Sequence, residues 1–121
     1  MRRRPASMVE RFAELDRGQL WLSAMVASEL RFGAAKLASV PFSATVEAWL
    51  AGFDVRPWPG EATQHYARIR ASLDQAGQTI GSIDLLIAAH AMAEDSALVT
   101  NNACEFLRVP GLAVEEWDLK A

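Results

Sequence analysis

Three places in the sequence hold side chains whose type and position could do chemistry: Glu29, Asp84, and the run Thr100-Asn101-Asn102 with Glu105. There is no Gly-rich phosphate loop, no Cys/His metal spacing and no Gly-x-Ser-x-Gly elbow, so any chemistry must run on carboxylates. Glu29 stands four residues from Met25 and Gly33 and three from Val26, on a helix striped with Met25, Val26, Leu30, Gly33 and Leu37. That spacing turns it inward. A carboxylate at the edge of a core is costly unless a cation or hydrogen bonds compensate. It is therefore a metal ligand or base, or else a salt-bridge partner of Arg31, Lys36 or another helix. Asp84 falls in the first turn of an apolar helix, where the dipole favours a carboxylate by roughly 0.3–1 kcal/mol. It serves either as a cap or as an oxygen donor to a hard cation such as Mg²⁺. Thr100, Asn101 and Asn102 directly follow a strand. They form a plain Asx-type turn, or they bind phosphate oxygens or metal-bound water. His65 reads as exposed beside the Tyr66 stripe and His90 as a structural residue of a buried helix, so neither is taken as a catalytic base, and Trp21, Trp49, Trp58 and Trp117 read as core rather than base-stacking platforms.

The elements that must position these residues follow from the punctuation. Pro5 opens a helix running to about Arg17-Gly18. A strand is expected over Gln19–Ser23 and a helix over Ala24–Ala38. Pro41 breaks the chain. A helix over Phe42–Ala51 ends at Gly52, and a strand covers Phe53–Arg56. The longest helix runs from Gly60 or Glu61 to Ala76 and stops at Gly77, with Tyr66, Ile69 and Leu73 as its stripe. Ser82 is the expected N-cap of a helix over Ile83–Ala93, apolar nearly all round and so packed on a sheet. A strand over Ala97–Thr100, a turn at Asn101-Asn102, a helical turn at Glu105-Phe106 and a strand over Leu112–Glu116 complete the chain. Alternating strands and helices define an α/β domain with a mainly parallel sheet. In such sheets the functional crevice lies at the carboxyl ends of the strands.

With 121 residues, 51 % of them apolar, the chain suits one domain spanning residues 1–121. The lone Cys104 forms no internal disulfide and fits the cytosol. No window approaches the roughly 20 apolar residues of a membrane span, and no signal peptide follows the basic start, so a soluble, cytoplasmic protein is expected. Charge is uneven: seven Lys/Arg against four Asp/Glu in residues 1–40, and five against eleven in residues 41–121. Binding nucleic acid by charge alone would need a chain basic throughout; this one would need a basic arm, a metal, or both.

Three blocks resemble the VapC toxins, which are PIN-domain ribonucleases. They are Ser23-Ala24-Met25-Val26-Ala27-Ser28-Glu29-Leu30-Arg31-Phe32-Gly33, Ile80-Gly81-Ser82-Ile83-Asp84-Leu85-Leu86-Ile87-Ala88-Ala89-His90-Ala91, and Leu98-Val99-Thr100-Asn101-Asn102 running on through Glu105-Phe106 to Arg108-Val109-Pro110-Gly111-Leu112. The resemblance implies a three-layer α/β/α sandwich around a five-stranded parallel sheet. It also implies Mg²⁺ or Mn²⁺ held by acids at the carboxyl ends, and cleavage of RNA phosphodiesters by an activated water. On that template Glu29 and Asp84 are the matched acids and metal ligands. Asn102 and Glu105 fill the fourth corner, with Thr100 beside them on the substrate. The implied partners are RNA, a VapB-type antitoxin and a second copy in a homodimer.

The pattern departs from the family at its start. The family begins with an apolar strand ending in Asp-Thr-Asn or a close variant. Met1-Arg2-Arg3-Arg4-Pro5 looks like the segment just after that strand and its short helix. A missing central strand would remove one metal ligand and unpair its neighbours, at about 1–3 kcal/mol per unpaired buried group. The start codon then lies upstream, or the chain is a truncated remnant that only binds antitoxin or dimerises; weak or no cleavage is expected of it. A receiver-type or small-molecule α/β module is the remaining alternative. Ser82, where the family often has Pro, is a harmless difference.

Overall fold

The computed structural model describes residues 20–100 and 103–117. The helix expected from Pro5 and the Asn101-Asn102 turn, with Asn102 as a site residue, lie outside them. The described chain falls into two compact units, residues 20–58 and residues 59–117.

In the first unit, β1 (Trp21–Ser23), α1 (Ala24–Leu37), α2 (Val40–Leu50) and β2 (Asp54–Arg56) follow in order. The two strands pair in parallel, Trp21 with Asp54, Leu22 with Val55 and Ser23 with Arg56. A parallel pair needs a long crossover, and the helical hairpin supplies it. Ser23 ends the strand and caps α1, its Oγ accepting from the Met25 N–H at 3.1 Å. Ala38 ends α1 in a left-handed conformation, φ 55°. Ser39 then caps α2 by accepting from the Phe42 N–H at 3.3 Å. Pro41 does not break the chain but lies in the first turn of α2, where its missing N–H has no intrahelical partner to lose. Ala27, Ala34, Val46 and Leu50 form the core, with Leu22 and Leu30 packed on it. Arg31 closes the hairpin on the outside with a two-point ion pair to Glu47, both distances 2.9 Å.

The second unit holds α3 (Ala62–Ala76), α4 (Ser82–Ala93), β3 (Leu98–Thr100), a 3₁₀ turn (Phe106–Arg108) and β4 (Val114–Glu116). α3 buries Ile69 and Leu73 as the stripe requires, and packs against α4. It stops at Gly77, φ 67°, with the Gln78 N–H closing onto the Leu73 carbonyl at 2.9 Å. The N-cap of α4 is Gly81, in extended conformation, and Ser82 is the first helical residue; the capping role expected of Ser82 is corrected by one position. α4 buries Leu85, Ala88, Ala89, His90 and Ala91, and His90 Nε2 lies 3.7 Å from Glu94 Oε2. β3 and β4 pair in parallel with Thr100 opposite Glu116. The Leu98 N–H donates to the Ala113 carbonyl and the Trp117 N–H to the Thr100 carbonyl, both at 2.8 Å, which fixes the register.

The architecture is mixed α/β with parallel strands, as the alternation implies. Among the described residues the strands form two parallel pairs. Of the four tryptophans, Trp117 is core at 2 % exposure. Trp21 and Trp58 are half-buried, and Trp49 is 46 % exposed against the core reading. Among the described residues no helix is long and apolar enough to cross a membrane.

Candidate active site

Asp84 and Glu105 meet at the start of α4. Asp84 occupies the first turn of that helix and Glu105 precedes the 3₁₀ turn, 21 residues later in the chain. Both are half-buried. The Gly81 N–H donates to Glu105 Oε1 at 3.1 Å, and the Asp84 carboxyl hydrogen-bonds to the Glu105 carboxyl. A Cβ built on Gly81 would lie only 3.7 Å from Asp84 Oδ2, so backbone and both acids share one small volume. The bond from Asp84 holds the Glu105 carboxyl below its ordinary pKa, helped by the Gly81 N–H and the nearby Arg108 charge and opposed by burial. The pair sits at the N-terminus of α4, the helix end that attracts anions.

Two further contacts brace this point. Arg108 Nη1 donates to the Thr79 carbonyl at 2.8 Å, in the loop before Gly81. Glu116 Oε1 accepts the Ala103 N–H at 3.3 Å, where the chain leaves β3 for Glu105. Thr100 ends β3 in the same unit, at the carboxyl end of a parallel pair as expected. The sequence reading missed the Gly81 N–H, Arg108 and Glu116. Arg108 was signalled by its place three residues after Glu105. Glu116 was signalled by its place at the carboxyl end of the last strand.

Glu29 belongs to the other unit, on α1, and is exposed. The expectation that it faces inward is corrected. The buried face of α1 is Ala27 and Ala34, with Leu30 alongside, whereas Leu37 is exposed. Glu29 is two residues, about 200° of helix turn, from Ala27. Glu29 therefore bears none of the burial cost that singled it out. Among the described residues no group of three acids, histidines or cysteines is gathered; the pair Asp84 and Glu105 is what the fold assembles.

The PIN-domain family profile matches residues 1–112. The chain is 37 % identical over 119 residues to the tRNA(fMet)-specific endonuclease VapC of Shigella flexneri, covering 97 % of this chain and 89 % of that one. It is 38 % identical over 98 residues to the ribonuclease VapC2 of Rickettsia felis, covering 80 % and 73 %. Among solved structures it resembles VapBC2 of Rickettsia felis bound to a promoter DNA fragment, with TM-score 0.76 and 38 % identity over 81 % of this chain and 74 % of that chain. It also resembles VapBC-1 of nontypeable Haemophilus influenzae, with TM-score 0.82 and 28 % identity over 93 % and 85 %. The chain belongs to the PIN-domain family, within its VapC branch.

Proposed function

We propose that this protein is a metal-dependent endoribonuclease, the toxin of a VapBC-type pair, acting on RNA in the cytoplasm. The observation that carries the reading is the contact between Asp84 and Glu105 at the N-terminus of α4, in a chain 37 % identical to an endonuclease of tRNA(fMet). Two carboxyls gathered beside one backbone N–H offer an oxygen-only donor set that fits a divalent hard cation. Mg²⁺ or Mn²⁺ is the proposed cofactor, with Asp84 and Glu105 holding it. Glu29 enters as a further ligand on the sequence pattern alone. When bound, such a cation supplies an activated water at neutral pH and offsets charge developing on the phosphate.

The chain's own residues do the rest. The Gly81 N–H holds one oxygen of Glu105 at 3.1 Å, beside Asp84. The helix terminus favours negative charge at this point. Thr100, at the end of β3, and Asn102 are proposed contacts to the RNA backbone. The test is cleavage of tRNA by the full chain with Mg²⁺ or with EDTA, beside Asp84→Asn. Magnesium-dependent cleavage that Asp84→Asn abolishes is expected. Wild-type cleavage by that variant, or cleavage indifferent to EDTA, would refute the reading.

One observation favours a protein partner in addition. Between α1 and α2 lies an open groove of about 460 Å³ lined by Ala34, Ala35, Ala38, Val40, Ala44 and Glu47. Phe32, Leu37 and Phe42 are exposed on the same hairpin, and Val40 is 81 % exposed. Four large apolar side chains exposed on one hairpin point to an interaction site. The structural relatives are VapBC pairs, so a VapB-type antitoxin is the proposed occupant, with a homodimer as a further proposed assembly. Val40→Asp should relieve inhibition by the cognate antitoxin without changing cleavage by the free toxin. Full inhibition of that variant would move the antitoxin elsewhere.

A further inference from the structure

The five residues between α3 and α4, Gly77 to Gly81, are exposed apart from the half-buried Ile80. They have little apolar surface with which to anchor themselves. Two hydrogen bonds join this loop to the turn that carries Glu105: Arg108 Nη1 to the Thr79 carbonyl at 2.8 Å, and the Gly81 N–H to Glu105 Oε1 at 3.1 Å. The turn itself is well anchored, because Phe106 and Val109 are buried. Its 3₁₀ geometry nearly eclipses side chains three apart, which puts Arg108 on the same face as Glu105. A second bond, from the Arg108 N–H to the Glu105 carbonyl at 3.1 Å, keeps the two in that relation. One side chain thus ties the loop to the turn at a point two residues from the N–H that orients the acid.

We propose that Arg108 is a positioning residue of the nuclease site: by holding the Thr79 carbonyl it keeps the Gly81 N–H on Glu105, and so fixes the Glu105 carboxylate beside Asp84. This rests on the nuclease reading for its effect on activity, but the tether can be measured without it. The bond to Thr79 is a single N–H donation from an exposed side chain. A lysine carries the same charge and donor on a long stem, so Arg108→Lys should substitute where Arg108→Ala should not.

The experiment follows amide hydrogen exchange at Gly81 by NMR in the full chain, for wild type, Arg108→Ala and Arg108→Lys. In parallel it measures kcat and KM for tRNA cleavage with Mg²⁺. Arg108→Ala is expected to exchange Gly81 about tenfold faster and to lose about tenfold in kcat at unchanged KM, the low end of effects seen when a group orienting a ligand is removed. Arg108→Lys is expected to restore both. Unchanged Gly81 exchange in Arg108→Ala, or no rescue by lysine, would overturn the tether. A rise in KM at constant kcat would overturn it in favour of direct contact between Arg108 and RNA. Glu105→Gln serves as the control: if that variant cleaves at the wild-type rate, the nuclease site is misassigned, while the Gly81 exchange still decides the tether.

Discussion

Replacing Glu105 by glutamine removes a charge while keeping a shape, and the structure shows what each is worth. The Gln Oε1 can still accept the Gly81 N–H, which lies 3.1 Å from Glu105 Oε1, and the new amide can donate to Asp84. What is lost is the charged character of the hydrogen bonds. Bonds to charged groups contribute about 1 kcal/mol more than neutral ones. Glu105 is only half-buried, so solvent screening brings the loss below about 1 kcal/mol, a fall in Tm of about 4 °C or less. The loss of cleavage should be far larger. Removing groups that merely orient metal ligands costs about 10–100-fold, and a ligand itself should cost at least the upper figure. Acid titration adds a second readout. Asp84 and the Gly81 N–H lower the Glu105 pKa, so its stabilising contribution is full above the unfolded value of about 4.3 and fades as pH falls through the lower folded value. The Tm gap between wild type and Glu105→Gln should be open near pH 6 and narrow as pH falls below about 4. A gap that persists in acid would show that the carboxylate charge is not its source. Cleavage at the wild-type rate would place Glu105 outside the site.

Three other outcomes test the frame that carries the site. Leu50, 3 % exposed in the core of the first unit, should cost about 2–5 kcal/mol as Leu50→Ala in urea unfolding; a loss under about 1 would mean that core is not close-packed. Gly77 has φ 67° and no atom within 4 Å of a built Cβ, so Gly77→Ala should cost only the left-handed backbone term, about 1–2 kcal/mol, with cleavage unchanged. Hydrogen bonding to Arg31 holds the Glu47 carboxyl below its ordinary pKa. The contribution of that pair is therefore present above about pH 4.3 and lost as pH falls further. Glu47→Gln should lower Tm slightly at pH 7, the difference should shrink as pH falls below about 4, and 1 M salt should shrink the pH 7 difference.

Most element boundaries were legible because they are local chemistry. Gly77 stops α3 through its own positive φ, and Ser23 caps α1 with its own hydroxyl. Where the sequence misled, tertiary packing overrode a local pattern. Alanine reads as neutral in a hydrophobic stripe, yet Ala27 and Ala34 are the residues that bury against α2 because their size permits close approach. A stripe drawn through Met25 and Gly33 was rotated enough to carry Glu29 inward. Asp84 and Glu105 could each be singled out, one by its place at a helix start and the other by its place just after a strand, but their meeting could not. It depends on where the chain goes after β3. The parallel register, set by the Leu98 and Trp117 N–H bonds, brings Thr100 level with Glu116. Glu116 then accepts the Ala103 N–H, and buried Phe106 seats the turn that follows. Each of those contacts joins residues far apart in sequence or depends on burial that no spacing reveals. The reach of Glu105 to Gly81 is the sum of them, so a perturbation such as Glu116→Ala should displace Glu105 without touching either acid of the pair. Loss of cleavage with α3 and α4 intact by NMR would bear that out. Unchanged cleavage would show that Phe106 and Arg108 suffice.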